Sequence, residues 1–488
     1  MNLIFSFFSG LLTGLSFNSP GLSFFAWVSL VPFIQALNKA SNKSSLLYGL
    51  FFGLAYYGAA IFWIGNVSKL GLVFILTYLS FYYVLFALLA RCLLTKPLGM
   101  VLFSCLWVII EFLKENIWCG FGWANLGYSQ YRNLWLIQIT DLFGVKFITF
   151  LIAAVNFLIW DVLNRSFLKR KITRTVYINV IVIIGIFITC FYYAFYRADD
   201  LRSSGTIEVA VIQPNIPQAL KWEESATAFI VDKLDGLSRK AKDISLAIFP
   251  EASWPITVDH SNLGQLSKFI KGIGKDALIG AVTKKNGNFY NSALLFDRQG
   301  NLVDTYDKVR LVPFGEYVPM RNFLNFIDVI NSIGDMSRGE KITVFPYRDN
   351  KFSVLICFED VFPAYTRYAA GNNDFLVNIT NDAWFKGEPE ASQHLGMMVL
   401  RAVENRISII RSANTGISGW VSFKGEVEKL EENGKNIFKA GSQDFTVSLN
   451  KRRSFYNKYG EIFTFFCIFV LIGVLSAERA ILKKKNIA

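Results

Sequence analysis

Long apolar stretches alternate with short polar ones from Met1 to about Tyr196, and then the pattern changes. Seven apolar spans run near 3–17, 21–37, 46–65, 70–90, 98–113, 134–160 and 176–196, several a little short and carrying Gly or Ser. Each approaches the length a helix needs to cross a bilayer. The first lacks a basic leading region and is followed almost at once by a second, so it reads as a retained span rather than a cleaved signal. From Arg197 to about Arg452 the chain turns hydrophilic, and an eighth apolar span closes it near 462–475. The expected division is a seven-span membrane domain over 1–198, a catalytic-size domain over 199–453, and a terminal span with a basic tail over 454–488.

Inside the hydrophilic stretch the period changes every 10 to 20 residues. Strand patterns fall at Ile207–Gln213, Ile244–Phe249, Asp276–Val282, Phe375–Ile379 and Ile407–Ser412. Helical patterns fall at Glu223–Lys242, Leu263–Ile273, Ala364–Ala370 and Ala391–Glu404. Asn288–Phe296 and Leu302–Lys308 flank the turn R-Q-G-N, which predicts a hairpin, and Trp420–Glu428 with Asp444–Leu449 completes the set. Helices alternating with strands and hairpins predict a layered α/β domain of mixed strand pairing.

Composition supports this reading: 53% of the 488 residues are hydrophobic, and mean hydropathy is +0.36. The formal net charge of +13 is concentrated in short loops beside apolar spans, which favours membrane orientation over nucleic-acid binding. Lys39 and Lys43, Arg91 and Lys96, the group from Arg165 to Arg174, and Lys483 to Lys485 fall in every second loop. By the positive-inside rule both termini are cytoplasmic and the hydrophilic domain lies outside. Between spans five and six runs W-C-G-F-G-W-A-N-L-G-Y-S-Q (118–130), which suits an interfacial aromatic belt or a loop lining lipid access.

Cys357 is the single cysteine of the hydrophilic stretch, so that stretch holds no internal disulfide. It ends the apolar run Val354–Ile356, with Glu359 and Asp360 just behind and Pro363 opening a helix. A thiol at such a strand end suits a nucleophile with free N–H groups beyond it; the same pattern also fits a small core cysteine. Two more strand ends carry chemistry: Glu251 after A-I-F-P, and Lys308 in Y-D-K-V-R-L-V-P-F-G-E-Y-V-P. Acid, amine and thiol at one sheet edge can activate the thiol and hold an oxyanion. His260 reads as an exposed loop residue and His394 as a packed or hydrogen-bonded one, so a Cys-His mechanism is secondary. No metal-ligand spacing, Walker loop, GxGxxG or GxSxG occurs.

The segments F-P-E (249–251), D-K-V-R-L-V-P-F-G-E-Y-V-P (307–319) and I-C-F-E-D (356–360) resemble the Glu-Lys-Cys signature of the nitrilase superfamily. With eight spans, P-F-G-E-Y-V-P and N-D-A-W-F (381–385), nearly the whole chain resembles the bacterial apolipoprotein N-acyltransferases. The resemblance implies an αββα sandwich on the outer side of the inner membrane. It implies Glu251 as general base, Lys308 as oxyanion stabiliser and Cys357 as acyl-accepting nucleophile, with no cofactor and no metal. It further implies Glu316 as a carboxylate near the thiol, Glu359 behind the nucleophile, and Trp222 and Trp384 in substrate handling. Phe358 stands where the family often has Tyr, which leaves its backbone N–H for an oxyanion hole. The partners implied are a phospholipid acyl donor, typically phosphatidylethanolamine, and diacylglyceryl apolipoproteins. A membrane-tethered amidase or nitrilase-like hydrolase, and a non-catalytic binding domain on a membrane anchor, fit the residues as alternatives.

Overall fold

The structure is a computed structural model, and it describes residues 1–485 apart from 244, 260, 322–333, 386 and 433. His260, expected in an exposed loop, therefore lies outside the described residues. The chain forms two compact units, Met1–Asp200 with Lys458–Ala488, and Leu201–Asn457.

The first unit is helical: α1 (Asn2–Leu15), α2 (Val31–Leu37), α3 (Asn42–Ala60), α4 (Lys69–Ala90), α5 (Gly99–Asn116), α6 (Leu134–Ile137), α7 (Thr140–Phe143), α8 (Val145–Phe167) and α9 (Arg174–Asp200), with a terminal helix Ile462–Lys485. Among the described residues four helices are long and apolar enough to cross a membrane: α4, α8, Arg174–Arg197 of α9, and Ile462–Arg479. Two stretches read as continuous spans are interrupted. Residues 21–37 divide into a 3-10 segment, Pro20–Trp27, and the seven-residue α2. Residues 134–160 hold two single-turn helices before Gly144, whose φ of +70° ends the second of them. Close helix packing rests on glycine. A Cβ on Gly10 would collide with the Phe52 carbonyl of α3, and one on Gly49 with the Tyr83 carbonyl of α4.

The loop 118–130 is not an exposed belt over most of its length. Trp118 is half-exposed, but Trp123, Leu126, Tyr128 and Gln130 are buried within the helical unit. Buried charges hold it there. Lys114 Nζ donates to the Trp123 carbonyl (2.7 Å), and Glu111 Oε1 accepts from Leu126 N (2.7 Å) and Trp107 Nε1 (3.0 Å). Glu115 accepts from Asn125 and pairs with Lys146 (2.6 Å), which also reaches Glu461 (3.3 Å).

The second unit contains two six-stranded sheets. The strands are β1 (Gly205–Gln213), β2 (Leu246–Ile248), β3 (Ala277–Lys285), β4 (Asn288–Phe296), β5 (Leu302–Asp307), β6 (Phe345–Tyr347), β7 (Asn350–Ile356), β8 (Phe375–Thr380), β9 (Ser408–Ala413), β10 (Gly419–Val421), β11 (Val427–Lys429) and β12 (Gly441–Leu449). One sheet runs β12-β1-β2-β3-β4-β5 and the other β11-β10-β9-β8-β7-β6. Each has parallel pairs at its centre (β1–β2–β3; β7–β8–β9) and antiparallel margins. Side-chain alternation builds the layers. Val209, Val211, Leu246, Ile248 and Leu278 join Val354, Ile356, Val377 and Ile410 in a core shared by the two sheets. The intervening Ile212, Ala247, Ala277 and Ile279 pack on Ile230, Leu234, Leu266 and Ile270 of α10 (Thr227–Ser238) and α11 (Leu263–Ile273). Helices α12 (Pro363–Ala370) and α13 (Glu388–Asn405) belong to the β7–β9 half of the unit. The predicted mixed α/β domain is a sandwich of two sheets with a shared core and with helices packed on the first.

Candidate active site

Strand β7 ends in the fully buried Val354, Leu355 and Ile356, and the chain then turns sharply. Cys357 takes φ of +54°, a left-handed conformation that costs a non-glycine residue on the order of 1–3 kcal/mol. It opens a 3-10 turn, Cys357–Val361, and Pro363 starts α12. The thiol is partly buried and takes part in no disulfide.

Lys308 follows β5 and is 1% exposed. Its Nζ lies 2.9 Å from Glu316 Oε1 and 3.3 Å from Glu251 Oε1. Asn291 Nδ2, from β4, donates to the same two oxygens at 2.8 and 2.7 Å. Two carboxylates thus share one ammonium and one amide. They differ in their other oxygen: Glu316 Oε2 accepts from Val312 N (2.8 Å), while Glu251 Oε2 accepts from none of the described residues. Of the pair, only Glu251 keeps an oxygen available to take a proton.

The electrostatics are coupled. Burial pulls the Lys308 ammonium down, but Glu316 and Glu251 outweigh it and hold its pKa above the ordinary lysine range. Burial and then Glu251 push the Cys357 thiol up, opposed by Lys308. The thiol therefore rests protonated and needs a base, as a carboxylate with a spare oxygen provides.

Glu359 is buried behind the thiol and clamps two strand ends together. Its Oε1 accepts from Val309 N (2.9 Å) and Arg310 N (2.8 Å), just past Lys308, and its Oε2 from Ile356 N (2.8 Å), just before Cys357. The Tyr306 hydroxyl lies 2.9 and 2.8 Å from its two oxygens. Burial raises its pKa to about 7 against those bonds. The Phe358 ring lies under Lys308, 5.7 Å from Nζ to ring centroid. Trp222 and Trp384 are each 51% exposed, beside the buried Lys221 and near the buried Asp382.

The sequence did not single out Asn291 or Lys221. An Asn inside an otherwise apolar strand is a weak signal of the first. It also missed the buried group beside β8 and β9. Asn378 Nδ2 donates to the Cys357 carbonyl (2.9 Å), and Arg411 donates to Asn378 (2.7 Å) and Asp382 (3.0 Å). His394 is hydrogen-bonded, as expected, with Nε2 2.8 Å from Asp360 Oδ1 and Nδ1 2.9 Å from Arg411. Asp382, Glu390 and His394 approach one another closely enough to suggest a metal site, but the Arg411 guanidinium already stands among them as their cation.

Comparison with known proteins agrees along the chain. Residues 9–158 match the family described as Apolipoprotein N-acyltransferase N-terminal domain, and residues 208–442 match Carbon-nitrogen hydrolase. An apolipoprotein N-acyltransferase of Geobacter metallireducens is 34% identical over 485 residues, covering 94% of this chain and 92% of its own. One from Haemophilus ducreyi is 27% identical over 504 residues, covering 98% and 97%. Among solved structures, an amidase from Nesterenkonia sp. is 17% identical with a TM-score of 0.39, covering 51% of this chain and 92% of that one. On its relationship to the Geobacter protein over almost the entire length, the chain belongs to the apolipoprotein N-acyltransferase family.

Proposed function

We propose that this bacterial membrane protein acylates the α-amine of diacylglyceryl-cysteine on apolipoproteins, in two half-reactions through a thioester on Cys357. The acyl donor is a phospholipid, with phosphatidylethanolamine the leading candidate. In the first half-reaction Glu251 takes the Cys357 proton and the sulfur attacks the ester carbonyl. The C–O bond breaks, Glu251 returns the proton to the leaving oxygen, and a lysophospholipid departs. In the second, the amine attacks the thioester, the C–N bond forms, the C–S bond breaks, and Glu251 passes the amine proton to the sulfur. Lys308 and the Phe358 N–H hold the oxyanion in both; the first N–H groups of the 3-10 turn have no partner within it. Glu316 keeps Lys308 in place, and Glu359 keeps the Lys308 and Cys357 strand ends in register. The exposed Trp222 and Trp384 guide the lipid substrates. A thioester falls to an amide without ATP, metal or cofactor.

The observation that carries this reading is the asymmetric carboxylate pair. Lys308 is fixed by Glu316 and Glu251, and Glu251 alone retains an unclaimed oxygen in a site with a partly exposed thiol. For the membrane arrangement, the basic loops favour eight crossings, with both termini in the cytoplasm and the domain over 199–453 on the outer side, set between segments 1–198 and 454–488. Both lipid substrates of that reaction are anchored in the outer leaflet, which requires the site on that side. Intact mass spectrometry of the full-length protein after incubation with phosphatidylethanolamine is the test, beside Cys357→Ser. A hydroxylamine-labile acyl adduct on Cys357 is expected in the wild type alone. Transfer without any adduct, or an adduct elsewhere, overturns the thioester.

A further inference from the structure

The catalytic reading leaves the charge of the site unbalanced. Lys308 already faces two carboxylates at hydrogen-bond distance. Passing the Cys357 proton to Glu251 leaves two negative groups, Glu316 and the sulfur, in a site that Asp382 also reaches electrostatically, although Arg411 holds Asp382 at 3.0 Å. One cation cannot serve all of these.

A second buried lysine stands beside them. Lys221 is 4% exposed, and its Nζ donates to the main-chain carbonyl of Glu251 at 3.0 Å. Among the described residues that is the one hydrogen bond of Nζ, so two of its three N–H groups are uncommitted. No carboxylate among the described residues pairs with it at salt-bridge distance; burial pulls its pKa down to about 8, and Glu251 and Cys357 act against burial in favour of the charged form. Its neighbour Trp222 is half-exposed while Lys221 turns inward, so the two residues of L-K-W divide between surface and site. Burying a lysine without a carboxylate partner is costly, and the site's own developing anion is the group that compensates it.

We propose that Lys221 is a second cation of the catalytic centre: it offsets the charge of ionised Cys357 and steadies Glu251 through its carbonyl, while Lys308 stays paired with Glu316. This rests on Cys357 being the nucleophile. Lys221 neither gains nor loses a proton; the thiol proton goes to Glu251, and the new negative charge on sulfur faces two ammonium groups rather than one.

The experiment is the pH dependence of Cys357 alkylation by iodoacetamide, read by peptide mass on full-length protein in detergent, together with the rate and KM of acyl transfer. Lys221→Gln keeps an N–H for the Glu251 carbonyl and removes the charge, whereas Lys221→Met removes both and Lys221→Arg keeps both. The alkylation midpoint is expected to rise by about 1–3 pH units in K221Q. Transfer should fall about tenfold or more through kcat with KM for the phospholipid little changed, and K221R should restore most of it. If K221Q matches the wild type in profile and rate, the charge is irrelevant and the proposal fails; if K221M does not fold, K221Q still decides. Alkylation of Cys357 that leaves transfer intact would instead sink the thioester reading itself.

Discussion

The protein buries two clusters of acids and lysines, one in each unit, and they are put to different uses. In the helical unit Glu111, Lys114, Glu115 and Lys146 spend their bonding capacity on main-chain groups and on neighbours that fasten the 118–130 loop and Glu461. In the α/β unit Glu251 and Glu316 point one oxygen each at the same ammonium and amide, and Glu251 leaves its other oxygen unused beside a partly exposed thiol. Buried charge alone therefore marks no active site. On the proposed function, what separates a reactive cluster from a structural one is the unspent donor or acceptor beside a partly exposed thiol. Glu111, Lys114 and Glu115, charged residues of an apolar helix, anchor a loop here.

Four substitutions break or sharpen that contrast. Glu251→Gln removes the unspent base but keeps an oxygen for Lys308, so acyl transfer should fall by about 10²–10⁴ with the melting temperature in detergent nearly unchanged. Lys146→Met should do the reverse. Stranding Glu115 in a buried pair costs about 3–5 kcal/mol in stability, while transfer per folded molecule stays at the wild-type rate; adding Glu115→Leu should recover part of the loss. The smallest effect is expected at Glu359, which belongs to neither extreme. A Gln amide there would meet the Ile356 N–H or the Val309 and Arg310 N–H groups donor to donor, costing about 1–3 kcal/mol.

Glu359 also carries a pH signature. Its folded pKa of about 7 lies above the 4.5 of an ordinary glutamate, so the folded state holds the proton more tightly than the unfolded chain. The stability this provides is full below about pH 4.5 and is lost as pH rises through about 7. Thermal melts of wild type and Glu359→Gln across pH 4.5 to 8 should therefore differ by an amount that shifts against the wild type up to about pH 7 and is flat above it. A difference independent of pH would mean that Glu359 stays ionised throughout.

The sequence made some of this legible and hid the rest for identifiable reasons. Glu251 and Cys357 each follow an apolar strand and Lys308 follows the largely exposed edge strand β5, and strand ends are where a period-2 pattern delivers a side chain to a sheet edge, so a common edge for the three could be anticipated. Glu316 sits in a loop and Glu359 in the 3-10 turn that Cys357 opens, and the roles of both were legible only through family resemblance. Asn291 and Lys221 were passed over because one polar residue in a strand or loop gives no direction; their partners lie 40 and 30 residues away. Arg411, in the strand S-I-I-R-S, was a visible anomaly whose meaning needed Asn378 and Asp382 beside it. In the helical unit, composition reports that 134–160 is apolar but is silent on the backbone angle at Gly144 that interrupts it. The loop at 118–130 resembled a belt because nothing local reveals that Glu111 accepts from Leu126.

The antiparallel pairing of β1 with β12, Gly205 opposite Leu449, puts the entrance and exit of the α/β unit side by side. For the helices on either side in sequence, the whole sandwich is thus an insertion whose ends already meet. The entropy of closing it is set by the few residues at the junction, not by the length of chain between them. A catalytic cassette of this kind can be gained, exchanged or enlarged at its far loops without re-registering the helices that carry it.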